Sequence, residues 1–242
     1  MTRGLGRSIF ALIITDMKFT YYGHSCFSMV VGGKTLLFDP FIKGNPLASS
    51  INPDTIACDY ILISHGHEDH IADAQSIARR TGAKVISNFE IITWLASKGI
   101  TNSHPMNTGG HWFFDFGKVK CVNAVHSSCL PDGANGGNPM GFLIEGDGKI
   151  FYYSGDTALT YDMKLIGDYK KVDFALLPIG GNFTMGIDNA IIAAEFIRCN
   201  KIVALHFDTF GYIKIDHAEA RTKFDAAGKS LLIPEIGKSY EL

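Results

Sequence analysis

"ISHGHEDH", Ile63 to His70, decides how the rest of the chain is read. Three histidines and two acids stand directly behind the apolar run Tyr60-Ile61-Leu62-Ile63. An ordinary surface turn has no need of imidazoles at this spacing, whereas a metal site needs imidazoles and carboxylates together. His65 and His67, two residues apart where a buried strand runs out into a loop, can converge on one ion. Asp69 and His70 are displaced towards the next helix and favour a second ion nearby. Histidine nitrogen suits zinc, iron or nickel, and carboxylate oxygen extends the choice to manganese. The H-E-x-x-H pattern of a zincin helix is absent, because His67-Glu68-Asp69-His70 has a different spacing, so Glu68 reads as a solvated loop acid.

A metal centre requires further donors, and three stand in matching contexts. His126 ends the strand-like run "KVKCVNAVH", Asp156 ends "FYYSGD" and His206 ends "IVALH". Each polar residue sits at the C-terminal end of its strand, so one edge of the sheets can gather them all.

The surrounding order supports sheets. Lys18 to Tyr22 and Cys26 to Val31 read as strands, and Gly32-Gly33 turns the second into Lys34 to Asp39. Asp59 to Ser64 reads as a short buried strand. "IADAQSIARRTG" then spaces its apolar residues helically and stops at Gly82. The second half repeats the sequence of events: a hairpin of Met140 to Glu145 and Lys149 to Ser154 around "GDGK", a strand from Val172 to Gly180, and a helix from Asp188 to Arg198. Both hairpins end near an aspartate, in "LLFDP" and "YYSGDT". This is a weak duplication at half-chain scale, and it suggests two sheets packed face to face with helices outside. Lys201 to Phe207 and Asp216 to Ala227 add a last strand and helix.

Composition limits the function classes. The 242 residues are 46% hydrophobic and 19% charged, which suits a substantial core. A net charge of −2 gives no global attraction for nucleic acid. Five scattered cysteines without a C-x-x-C pair read as thiols in a reducing, cytoplasmic compartment. Arg3 and Arg7 precede the apolar stretch Ile9 to Ile14, which is too short to span a membrane, and no small-residue cleavage site follows. We therefore expect residues 1–16 to be an extension, with Met17 as an alternative start, and residues 17–242 to form a single domain. Neither a membrane nor a nucleic acid is expected as partner; a small-molecule substrate is, and a homo-oligomer stays open.

The pattern H-x-H-x-D-H, followed in order by His126, Asp156 and His206, resembles the metallo-β-lactamase superfamily from about Met17 to the C-terminus. The resemblance implies an α+β fold, a four-layer αβ/βα sandwich of two mixed sheets with outer helices, and a binuclear site on one edge. By position, His65, His67 and His126 resemble the ligands of a first ion, and Asp69, His70 and His206 those of a second. Asp156 resembles the carboxylate that bridges them. The stretches "YYGHSC", "AVHSS", "GNPMGFLI", "YYSGDT" and "LLPIGGNFTMG" are together similar to small metal-dependent hydrolases near the ascorbate-6-phosphate lactonase branch. The β-lactamases lack the bridging aspartate, and the β-CASP nucleases and glyoxalase II carry additional regions for which this chain has no room.

What this implies is a hydrolase with two divalent ions, zinc first and manganese, iron or nickel as alternatives. A bridging hydroxide would attack a small ester, lactone or phosphoester. Asp69 would orient the nucleophile and relay its proton, and Asp156 would seat both ions. A phosphodiesterase or nuclease on the same ions, and a non-catalytic metal-binding sensor, are the competing readings. His24 reads either as an extra ligand or substrate contact, or as a histidine satisfied within its turn. Asn182 reads as a substrate contact, with Gly180 and Gly181 offering amides to an oxyanion, or as part of a tight turn before a helix capped by Asp188. Asp39 is expected to fix its loop or to stand behind a histidine ligand. His104, His111 and His217 read as surface or local structural residues.

Overall fold

The computed structural model describes residues 16–242. The expected extension, apart from Asp16, lies outside the described residues. One sheet begins with β1 (Lys18–Gly23), β2 (Cys26–Val31), β3 (Lys34–Phe38), β4 (Tyr60–Leu62), β5 (Lys84–Asn88) and β6 (Ser103–Met106). The other contains β7 (His111–Phe114), β8 (Gly117–Asn123), β9 (Met140–Gly146), β10 (Lys149–Tyr153), β11 (Phe174–Pro178), β12 (Lys201–Leu205) and β13 (Ser230–Leu232). Finally β14 (Ser239–Glu241) returns to the first sheet beside β1.

The spatial orders are β14-β1-β2-β3-β4-β5-β6 and β7-β8-β9-β10-β11-β12-β13. Position for position the two sheets repeat one plan. Antiparallel β1-β2-β3 is followed by parallel β4, β5 and β6, and antiparallel β8-β9-β10 by parallel β11, β12 and β13. The half-chain repetition seen in the sequence is therefore a repetition of strand order. Polar residues placed after the parallel strands meet along one edge, because parallel strands all end on the same side.

The sheets pack through a core drawn from both: Phe19, Phe27 and Phe38 from the first, Phe142, Phe151 and Tyr153 from the second. Phe27 and Phe38 stack at 4.4 Å between ring centroids, with Tyr153 edge-on to each. Burying each such ring contributes about 1.5–3 kcal/mol. Two further apolar layers cover the outer faces. Residues of α2 (Ala74–Thr81) and α3 (Phe89–Ser97), which come after the short helix α1 (Glu68–Ile71), pack on the first sheet. Those of α4 (Met163–Tyr169), α5 (Ile187–Phe196) and α6 (His217–Ala226) pack on the second. The result is the four-layer sandwich expected. No helix of the described residues is long and apolar enough to cross a membrane.

Two local expectations need correction. The helix expected from Ile71 to Gly82 is broken: α1 ends at Ile71 and α2 starts at Ala74. Asp73 causes the break by binding the loop after β3. Its carboxylate accepts from the amides of Ile42 (2.6 Å) and Lys43 (3.0 Å), and its own amide donates to the Pro40 carbonyl. The stop at Gly82 stands, in a left-handed cap with φ of 70°. Asp188, in turn, does not cap α5; Gly186 occupies that position, and the Asp188 carboxylate meets Lys223 of α6 at 2.9 Å.

Candidate metal centre

Every donor is carried on a segment that leaves the same edge of the sandwich. His65 and His67 follow β4, Asp69 and His70 lie on α1, His126 follows β8, Asp156 follows β10, and His206 follows β12. The site therefore brings together all seven residues picked out by the sequence, in two groups. His65, His67 and His126 offer nitrogens within 4.8 Å of one another, and His24, Asp69, His70 and His206 do the same. Asp156 lies between them: its Oδ2 is 2.9 Å from His206 Nε2, 3.4 Å from His70 Nε2 and 3.7 Å from His126 Nε2.

The orientation of two imidazoles traces to one buried aspartate. Asp39 follows β3 and accepts four hydrogen bonds, from the Ser64 amide (2.7 Å), the Ser64 hydroxyl, the Tyr153 hydroxyl and His70 Nδ1 (2.7 Å). Since the Ser64 hydroxyl donates to Asp39, it accepts from His65 Nδ1, 2.9 Å away. Both His65 and His70 thereby carry a proton on Nδ1 and turn Nε2 into the site. His65 Nε2 lies 3.1 Å from His67 Nδ1. His67 occupies the N-cap position of α1 without capping it, since its ring is turned to this cluster instead.

Burial sets the charge states first. It lowers the pKa of His67 and His126, drives that of His65 well below the ordinary value, and takes His24 down to about 4. Burial also opposes charge on His70, but Asp156, Asp39 and Asp69 outweigh it and hold His70 well above the usual range. For Asp156 the cost of burial is overcome by His206 and His70, which keep its carboxyl well below the carboxylate range. Asp69 is lowered in the same way, against burial, by His24 and His70.

These residues fit a divalent cation. Buried polar atoms almost always have partners, yet His70 Nε2, Asp156 Oδ1 and His206 Nδ1 are buried without a hydrogen bond. A cation between the histidine and carboxylate donors satisfies His70 Nε2 and Asp156 while adding charge of the right sign.

The donors open onto a cleft of about 270 Å³ lined by His67, Asp69, His126, Ser127, Asp156, Phe183, His206 and Phe210. A larger groove, about 580 Å³, runs between β8 and α4 past Leu143 and Ile166 and contains none of the metal-site residues. Asn182 is exposed and does not line the cleft; its neighbour Phe183 does. The amide of Gly181 donates to the Met185 carbonyl at 3.0 Å and is used up in its own loop. Gly180 is required for packing, since a Cβ there would lie 2.2 Å from the His206 carbonyl. His217 pairs with Asp208 at 2.7 Å, and His104 packs on Trp112 and Phe114. All five cysteines are free, four of them buried. The sequence gives no sign of a role for Phe210 and Thr209, whereas Ser127 and Phe183 stand inside the quoted stretches "AVHSS" and "LLPIGGNFTMG".

Fold and donor set together define a protein of the metallo-β-lactamase superfamily, and residues 34–207 match the family model described as a beta-lactamase superfamily domain. More narrowly, the chain belongs to the UPF0173 metal-dependent hydrolase family. It is 57% identical over 226 residues to the member from Flavobacterium johnsoniae, covering 93% of this chain and all of that one. The Methylacidiphilum infernorum member is 57% identical over 208 residues, covering 86% and 92%. Among solved structures, a metallo hydrolase from the hyperthermophilic archaeon Ignicoccus hospitalis shares 38% identity and superposes with a TM-score of 0.85 over 94% of this chain and 100% of that one. An isothiocyanate hydrolase from Delia radicum gut bacteria, at 21% identity and a TM-score of 0.78 over 93% and 99%, shares the fold.

Proposed function

We propose that this metal-dependent hydrolase holds two divalent ions and opens a small, uncharged lactone or ester. The observation that carries the reading is the position of Asp156 between two converging donor groups at the floor of an open cleft. His65, His67 and His126 would hold one ion, Asp69, His70 and His206 the other, and Asp156 both. Zinc is the first ion to test, followed by manganese, iron and nickel. When bound, the ions supply a lowered pKa for water, towards ~7, and polarisation of the substrate oxygen.

The chain's own groups do the rest. Asp69 is 28% exposed at its side chain and borders the cleft, so it can orient a water and take up its proton. Phe183 and Phe210 offer apolar faces to the part of the substrate away from the reacting carbonyl. No lysine or arginine is among the residues lining the cleft, so a phosphate distant from the ions finds no cationic partner there. Similarity of motifs to the ascorbate-6-phosphate lactonase branch supports a lactone ring as the electrophile. Free thiols throughout support a reducing, cytoplasmic setting.

Turnover by the ion-loaded protein tests this directly. Neutral aryl and alkyl lactones should be cleaved with kcat/KM at least tenfold above that for bis-p-nitrophenyl phosphate. The reverse order would move the reaction to phosphodiesters.

A further inference from the structure

His24 is the one histidine at the site whose role neither the ligand pattern nor the resemblance assigns. It lies between β1 and β2, 1% exposed, with its ring centroid 4.1 Å from that of His206 and 5.4 Å from that of His70. Its Nδ1 is 3.0 Å from the Thr209 hydroxyl, which donates onward to the Phe207 carbonyl and so accepts from His24. With the proton on Nδ1 directed at Thr209, Nε2 turns a lone pair to Asp69 Oδ2 at 3.1 Å, the tautomer in which both can hold a cation.

Two atoms bearing lone pairs at this separation attract a shared cation. Donors about 2.1 Å from one ion stand roughly 3.0 Å apart at a right angle and roughly 3.4 Å apart at the tetrahedral angle. The second group shows such spacings in three pairs: 3.1 Å from His24 to Asp69, 2.9 Å from His206 to Asp156 and 3.4 Å from His70 to Asp156. The 4.0 Å from His70 to Asp69 spans a wider angle. Backbone strain points the same way. His24 and His206 both adopt left-handed φ, 56° and 53°, and the His206 amide donates to the His24 carbonyl at 2.9 Å. Conformations this costly for a residue with a Cβ persist where the side chain must be held in one place.

We propose that His24 is a protein ligand of the second ion, giving that site five donors (His24, Asp69, His70, Asp156, His206) against four at the first (His65, His67, His126, Asp156). The inference rests on the two-ion reading above and deepens it. The sites are then unequal: the first suits tetrahedral zinc, and the second suits an ion that accepts five or six ligands, such as manganese, iron or nickel. Thr209 acts as a positioning residue that fixes the ring of His24.

Cobalt(II) titration of the metal-free full chain, followed by visible absorption, tests this without reference to turnover. The wild-type protein should take up two equivalents, the second with the weak absorption of a five- or six-coordinate ion. In His24→Ala the first equivalent should bind unchanged, while the second should bind at least tenfold more weakly and absorb more strongly per ion. His24→Gln separates ligation from simple support of Asp69, because its amide can still donate to that carboxylate. Glutamine behaving like alanine upholds the proposal; glutamine restoring wild-type affinity and spectrum overturns it. An alanine variant with both equivalents unchanged also overturns it. Uptake of only one equivalent by the wild-type protein would break the two-ion reading itself. The spectrum of that single ion then decides on His24, upholding ligation if alanine alters it and overturning it if not.

Discussion

Asp39 and Asp156 stand at corresponding places in the two halves, each just beyond the last strand of an antiparallel meander, after β3 and after β10. Both are buried, at 0% and 3% exposure. Their surroundings differ. Asp39 accepts four hydrogen bonds from Ser64, His70 and Tyr153, whereas Asp156 faces three histidine nitrogens and leaves Oδ1 without any partner. The same residue type at the same topological position thus orients histidines of the centre in one half and leaves an oxygen open to it in the other. A carboxylate whose lone pairs are filled by the protein orients its neighbours; one whose lone pairs are unfilled binds what comes to it.

The largest contrast should appear in metal content. Asp156→Ala is expected to lose both equivalents, measured by elemental analysis of purified protein, and an Asp156→Ala protein retaining two tightly held ions would break the comparison outright. Asp39→Asn should keep both sites but weaken ion binding about 10–100-fold, because His70 and the Ser64–His65 pair lose their negative anchor. Competition with a chromogenic chelator reads that loss.

Next in size is the pH dependence, which turns on His70, the ring joined to Asp39 through Nδ1 and 3.4 Å from Asp156 through Nε2. Its pKa is raised, so the metal-free protein keeps a proton there at neutral pH, and an ion must displace it. Affinity for the second equivalent should therefore climb with pH from about 6.5 until the pKa of His70 is passed, by about tenfold per unit for one proton. His65, His67 and His126 are lowered and already neutral over that range, so the first equivalent should bind with little change. Equal slopes for the two would show that His70 does not hold the proton. The smallest effect belongs to Tyr153→Phe. It removes one of four donors to Asp39, and should cost about 1.5–3 kcal/mol of stability in a denaturant titration while leaving ion content intact.

The residues gathered at the centre were legible in the sequence because they follow the ends of apolar strands: His65, His67, Asp69 and His70 after β4, and His126, Asp156 and His206 after β8, β10 and β12. The hairpins at Gly32-Gly33 and "GDGK" and the stop at Gly82 were legible for a similar local reason, since their turns are written in adjacent residues. What escaped depends on contacts between distant segments. Tyr153 and Asp39 meet across 114 positions, and His24 and Thr209 across 185. No local pattern marks either pair. The break at Asp73 has the same origin, because helical periodicity continues through it and only the loop at Ile42 and Lys43 withdraws its carboxylate. Asn182 drew attention as the polar residue of a glycine-rich loop. The structure turns it to solvent and sets the apolar neighbour Phe183 in the cleft, a choice of side that the loop's own composition does not encode.

The 2.9 Å bond from the His206 amide to the His24 carbonyl ties the end of one sheet to the start of the other. Donors reach the centre from both sides of that tie, so neither half alone assembles it. A chain cut between the halves therefore carries the donors on two separate pieces: His24, His65, His67, Asp69 and His70 on one, His126, Asp156 and His206 on the other.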